Sequence, residues 1–382
     1  METKPFVDQK AGAVHGEGHR ARVSSSVVPG ICLIGCGWWG GVHALALKAV
    51  GPRVRRYFAS KDPDHARDFA RRFDGAEIPG GMAGALKDAR VDAVILALPH
   101  HLHAEATIAA LRAGKHVLVE KPLALNLEEG EKMVRLAEDL GLCLAVAEEY
   151  RLSPLVVRAR DLIRQGRLGR IIFVQANTVG NFRPPQRWKQ TRESMGGGVL
   201  LDVGIHYIDV LRFWFGEPES VWATSPPQIN PEIGGEDSIS TILNFPDGPV
   251  ANLRITWSGH PPPGMSTFEL CAERGSLTFS YQKPWLTCSE PLPPDHWSRR
   301  VQGRLPWRIE RRLRPLLPKS RLYRLPVADG DRIGNRALID DFVQAVTCSQ
   351  APAVSGMEGL KDLRVVLAAY ESLQSGKAIP RS

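Results

Sequence analysis

Asp202, His206 and Asp209 stand four and three residues apart in the run Gly196-Gly197-Gly198-Val199-Leu200-Leu201-Asp202-Val203-Gly204-Ile205-His206-Tyr207-Ile208-Asp209. On a helix that spacing points all three the same way. An imidazole one turn from a carboxylate can accept a substrate proton while the carboxylate stabilises the imidazolium, so the face is suited to general acid/base work. The competing reading is an amphipathic helix whose polar residues only cap, pair or meet solvent. Val199, Leu200, Ile205, Ile208, Leu211 and Phe213 make the rest of this helix strongly apolar, and polar groups inserted there need a reason.

A second chemical signal is Gly35-Cys36-Gly37-Trp38-Trp39-Gly40, a G-x-G-x-x-G pattern lying between an apolar strand-like run and a helical one. Gly35 permits a tight turn, Gly37 lets the backbone approach a pyrophosphate, and Gly40 lets helix pack on strand. A structural glycine turn is the alternative; the placement favours a dinucleotide site that includes Trp38 and Trp39. About twenty residues on, the second strand ends in Ser60-Lys61-Asp62. A hydroxyl followed by a cation suits a 2′-phosphate, which favours NADP, while Asp62 keeps NAD open if the strand runs longer.

Glu120-Lys121-Pro122 puts Lys121 at the carboxyl edge of a strand, where a partly desolvated lysine can share a proton with a reacting oxygen. His100, His101 and His103 invite a metal reading. Neighbouring histidines on a loop diverge, however, and no carboxylate or cysteine completes a set, so no metal is expected. His103 is expected to open a helix near the nicotinamide.

These residues need a scaffold. Ile31–Ile34, Val54–Ala59, Val91–Leu98, His116–Val119 and Cys143–Ala147 read as buried strands; between them Val42–Val50, Pro63–Phe73, Ala104–Ala113 and Leu127–Leu140 read as helices. This βαβ rhythm predicts a Rossmann-type doubly wound parallel sheet over residues 30–150, with its ligand at the carboxyl ends of the strands. Residues 151–382 predict a second α/β domain: helices Leu155–Gln165, Asn335–Thr347 and Gly356–Ser375 around a largely antiparallel open sheet. Its strands are expected at Ile171–Val179, Ser220–Ala223, Ser238–Phe245, Val250–Trp257, Thr267–Cys271 and Ser276–Tyr281.

At 382 residues the chain is long enough for two cores. Its six cysteines are scattered, without C-x-x-C or zinc spacing, which fits a reducing cytoplasm rather than a disulfide scaffold. Residues 1–29 read as a disordered leader without the apolar core of a signal peptide, and no apolar run is long enough for a membrane helix. Much of the net charge of +8 sits in an arginine-rich stretch at about 290–328, with Trp297, Trp307 and Tyr323 interleaved. A solvated insertion or surface helix is favoured there over an anion-binding surface, and no nucleic-acid partner is expected.

Taken in order, the glycine loop, the Pro99 to His103 turn, Gly114-Lys115-His116-Val117, Glu120-Lys121-Pro122 and the Gly196 to Asp209 segment resemble the Gfo/Idh/MocA family of oxidoreductases. The resemblance implies hydride transfer between a nicotinamide, NADP or NAD, and a carbon bearing a hydroxyl or carbonyl in a sugar, cyclitol, sugar nucleotide or similar polyol. It also implies that Lys121, Asp202 and His206 are catalytic: His206 moves the hydroxyl proton, Asp202 orients His206, and Lys121 polarises the oxygen. Asp209 would hydrogen-bond a neighbouring substrate hydroxyl, and Pro99, His100, His103 and Glu120 would lie at the cofactor. A homo-oligomer, dimer or tetramer, joined through the open sheet is implied as well. Two positions depart from the family pattern: His100 replaces a common asparagine, and Ala147-Glu148-Glu149 replaces Gly-His-Asn. Alternatives are a nicotinamide-dependent sugar enzyme without net redox change, of glycosidase or epimerase type, and a non-catalytic dinucleotide-sensing regulator.

Overall fold

The computed structural model describes residues 28–183, 187–291, 320–326, 331 and 333–381. Strand β1, Gly30–Ile34, is buried at every position, as a central strand of a sheet covered on both faces must be. It continues into helix α1 (Trp38–Val50), β2 (Arg55–Ala59) and α2 (Pro63–Arg72), then β3 (Ala76–Glu77), α3 (Gly81–Lys87) and β4 (Ala93–Leu96). Helix α4 (His103–Arg112), β5 (His116–Glu120), α5 (Leu127–Leu140) and β6 (Leu144–Ala147) complete the first half. The six strands lie in the order β3-β2-β1-β4-β5-β6, all parallel. The sequence pattern missed β3 and α3, which are too short to show a period.

Local chemistry sets the boundaries. The Asp62 side chain accepts from the backbone N–H of Asp64 and Pro63 follows as the first residue of α2, a fixed helix start. Asn126 caps α5 through the N–H of Glu129, and Gly141 ends it in the left-handed conformation. Residues alternate along β1: Ile31 and Leu33 pack on one face with Leu47 and Phe69, Cys32 and Ile34 on the other with Val94 and Leu96.

The second half begins with α6 (Pro154–Arg164) and β7 (Ile171–Val179), followed by α7 (Arg192–Met195), a π-helical turn at Leu200–Gly204 and α8 (Ile205–Phe215). Strands β8 (Ser220–Thr224), β9 (Ser238–Asn244), β10 (Val250–Thr256), β11 (Phe268–Ala272), β12 (Gly275–Phe279), β13 (Trp285–Pro291) and β14 (Ser320–Pro326) follow. Helices α9 (Asn335–Cys348) and α10 (Gly356–Ser375) and the short β15 (Ile379–Pro380) end the described chain. The sheet order is β14-β13-β12-β11-β7-β10-β9-β8-β15, antiparallel except for the β7–β10 pair.

The structure changes two readings of this half. Helix α9, assigned by its sequence position to the second domain, packs on α1, and Leu338, Ile339, Phe342, Val343 and Val346 join the core on one face of the first sheet. In the basic stretch, Ser320–Pro326 is a strand paired with β13 rather than a surface loop or helix. The remainder of that stretch at 292–319, and residues 1–27 of the expected leader, lie outside the described residues. All six cysteines are free, and no described helix is long and apolar enough to cross a membrane.

Candidate active site

The carboxyl ends of β1, β2, β4 and β5 open on a cavity of about 1010 Å³. Gly35, Gly37, Trp38, Trp39, Gly40, Ser60, Lys61, Pro99, His100, Glu120, Lys121 and Asp202 all line it, and Lys189, Trp188 and the Gly80-Gly81 pair join them. The glycines do different jobs. Gly35 has φ +107°, a conformation that a side chain disfavours, and a Cβ on Gly40 would lie 2.0 Å from the carbonyl oxygen of Gly35. A Cβ on Gly37 would meet nothing within 4 Å. That open space at a helix N-terminus is the cradle a pyrophosphate needs, so the residues present fit a dinucleotide.

At the end of β2, Ser60 and Lys61 face the cavity, whereas the Asp62 carboxylate is occupied in capping α2, 2.9 Å from the backbone nitrogen of Asp64. His103, expected at the cofactor, does not line the cavity. It is fully buried, with Nδ1 2.7 Å from the carbonyl oxygen of Pro122 and Nε2 2.9 Å from that of Leu98, and burial pushes its pKa down to about 4. It ties the β4 and β5 loops together instead.

Asp202 is the centre of charge at the cavity floor. Its Oδ2 accepts from Nζ of Lys189 at 2.7 Å, its Oδ1 lies 3.1 Å from Nε2 of His100 and 3.4 Å from Nζ of Lys121, and its backbone carbonyl accepts a further bond from Lys121. Burial works against its charge, but Lys121, Lys189 and His100 outweigh it and hold the carboxyl well below the usual carboxylate range. Burial likewise opposes the Lys121 ammonium, yet Asp202, Glu120, Glu148 and Glu149 raise its pKa. For Lys189 burial wins and lowers the pKa.

His206 is held by a different carboxylate from the one expected. Its Nδ1 donates to Oε2 of Glu148, its Nε2 lies 3.9 Å from Oε1 of Glu149, and its ring stacks on Tyr150 at 4.4 Å and 14°. No hydrogen bond joins it to Asp202. Asp202 lies in the π-helical turn at Leu200–Gly204 and His206 in the α-helix that follows, so the regular α-helical spacing does not run through both. Asp209, expected at a substrate hydroxyl, is fully buried and gripped by the Arg151 guanidinium, with Nε 3.0 Å from Oδ2. His206 itself is 3% exposed and is not among the residues that line the cavity, though the Lys121 that lines it acts electrostatically on its ring.

Sequence reasoning thus missed Lys189 as a partner of Asp202 and Glu148 as the partner of His206. One signal was available for the second: two consecutive glutamates close an apolar strand at the edge of a doubly wound sheet where ligands bind.

Comparison with known proteins agrees with the fold. Residues 30–148 match the model of an oxidoreductase family with an NAD-binding Rossmann fold, and residues 156–278 match the GFO/IDH/MocA C-terminal domain. The levoglucosan dehydrogenase of Pseudarthrobacter phenanthrenivorans is 30% identical over 285 residues, which is 66% of this chain and 73% of that one. The D-xylose 1-dehydrogenase (NADP(+)) 2 of Haloferax volcanii is 26% identical over 347 residues, 89% of this chain and 97% of that one. A solved levoglucosan dehydrogenase in complex with NADH and levoglucosan superposes with a TM-score of 0.77 at 26% identity, covering 92% of this chain and 99% of that one.

Proposed function

The chain belongs to the Gfo/Idh/MocA family of nicotinamide-dependent oxidoreductases, and from that premise we propose that it oxidises or reduces a CH–OH or carbonyl carbon of a sugar, cyclitol, sugar nucleotide or similar polyol. The observation that carries the reading is that Lys121 and Asp202 line the same cavity as the glycine loop, so a substrate beside them would lie next to a bound nicotinamide. When bound, the dinucleotide supplies the hydride acceptor or donor.

The chain's own residues have distinct parts. Gly35, Gly37 and Gly40 with the first turn of α1 would hold the pyrophosphate, in a cavity that Trp38 and Trp39 also line. Lys121, its ammonium stabilised by surrounding carboxylates, donates a hydrogen bond to the substrate oxygen. Asp202 fixes Lys121 and Lys189, and His206, set by Glu148, takes up or returns the hydroxyl proton. NADP is the favoured cofactor: Ser60 and Lys61 offer a hydroxyl and a cation to a 2′-phosphate, and the acid that would serve a ribose hydroxyl is committed to capping α2.

Phe173, Val250 and Cys271 are register neighbours on the exposed side of the second sheet, which supports association of copies through that face.

The test is titration of cofactor-free protein with NADPH and NADH, followed by nicotinamide absorbance with levoglucosan, D-xylose and inositol. NADPH binding and reduction of NADP by at least one of these polyols are expected. Failure to bind either dinucleotide overturns the reading.

A further inference from the structure

Two glutamates at the end of β6 close on the two nitrogens of one imidazole. Glu148 and Glu149 are 0% and 2% exposed, and His206 lies between them. Each glutamate keeps one oxygen, Oε1 in both, without a hydrogen-bond partner among the described residues. A buried carboxylate oxygen left unpaired is costly. The orphaned oxygen of Glu149 is the very atom 3.9 Å from Nε2 of His206.

We propose that Glu149 is the proton acceptor behind His206, and that Glu148 positions the ring so that Nε2 faces the incoming proton. The inference rests on the oxidoreductase reading above and adds a residue to it. The step is a proton transfer alone. The substrate O–H bond breaks, its proton bonds to Nε2 through the ring's lone pair, and that N–H bond then breaks as the proton passes to Oε1 of Glu149. The imidazole ends neutral and the carboxylate becomes a carboxylic acid, so His206 is free for the next turnover and no imidazolium persists in a buried site. Stacking on Tyr150 holds the ring, with Glu148 bonded at Nδ1 and Oε1 of Glu149 3.9 Å from Nε2.

Charge affinities are matched for such a relay. Burial lowers His206 and raises Glu149, so donor and acceptor approach each other. Burial raises Glu149 to about 7 against the opposing pull of His206, with Glu120 and Glu148 adding to the rise. The other groups facing Glu149 are Lys121, Tyr150 and Tyr281.

The experiment has two arms. Infrared titration of the full chain as purified should show a protonated-carboxyl band that disappears as pH rises through about 7, and Glu149→Gln should remove that component. A band unchanged in Glu149→Gln, or none in the wild type, overturns the proposal. In the second arm, oxidation of levoglucosan and D-xylose is followed against pH. Glu149→Gln should lower kcat about ten- to hundredfold with KM nearly unchanged and lose the limb near neutrality, and Glu149→Asp should restore part of it. An unchanged pH profile also overturns the proposal. If neither sugar is oxidised, the substrate reading falls, and the infrared arm alone decides Glu149.

Discussion

Nζ of Lys189 lies 2.7 Å from Oδ2 of Asp202, joining the short helical turn at Arg187–Gln190 to the π-helical turn through one buried ion pair. Lys121 and His100 meet the other oxygen of the same carboxylate. Asp202 therefore works as the counterion of two lysines rather than as the partner of His206.

Replacing it tests that distinction. Asp202→Asn leaves two buried ammonium groups without their shared anion and should cost on the order of 3–5 kcal/mol of stability. Equilibrium denaturation in urea measures this. The double variant Asp202→Asn with Lys189→Met should recover part of the loss, and equal stability of the single and double variants would contradict the pairing.

Lys121→Met removes the cation at the cavity floor while keeping its length. Turnover should fall about 10²- to 10⁴-fold, with dinucleotide affinity changed only a few-fold. Steady-state rates with the best polyol, set beside calorimetric binding of NADPH, give both numbers.

The two loop glycines should respond in opposite ways. Gly40→Ala places a methyl 2.0 Å from the carbonyl oxygen of Gly35 and should lower the melting temperature. Gly37→Ala meets nothing in the protein, so the fold should be unaffected while NADPH and NADH affinity drop about tenfold or more. Thermal melts with and without dinucleotide separate the two effects.

Lys61→Asp should reverse cofactor choice. An acid at the end of β2 repels a 2′-phosphate and accepts from ribose hydroxyls, so the ratio of NADPH to NADH affinity should fall about tenfold or more. Competition binding reads the ratio, and an unchanged ratio would remove Lys61 from the cofactor site.

Stability should carry a pH signature from Glu149. Its carboxyl is raised in the fold from 4.5 to about 7, so the folded state binds more protons in that window and stability declines as pH rises through it. Glu149→Gln should therefore stabilise the protein most above pH 7, by on the order of 3 kcal/mol, and least below pH 4.5. Denaturation midpoints at the two extremes check the sign.

What could be read from the residues alone was local. The glycine loop announces itself because its spacing and its place between strand and helix are both visible along the chain, and Lys121 follows from the end of β5. Glu148 and His206 could not be paired in advance, because their contact depends on where β6 ends relative to α8, 58 residues later. The π-helical turn at Leu200–Gly204 has no periodic signature either, so the residues alone suggest one continuous α-helix through Asp202 and His206. Ser320–Pro326 shows no clean polar/apolar alternation along the chain, so its strand is visible only in its pairing with β13.

Helix α9 carries a consequence for biosynthesis. Ile339 and Phe342 are fully buried on the first sheet, in one core with Ile31 and Leu33 from the start of the described chain. When β6 has left the ribosome all six parallel strands exist, yet the part of that face not covered by α1 and α2 stays open until Asn335 and the residues after it are made. At translation rates of about 5–20 residues per second the interval lasts roughly ten to forty seconds. For that time the nascent nucleotide-binding half presents an apolar patch to solvent, and its core is completed only once α9 has been made.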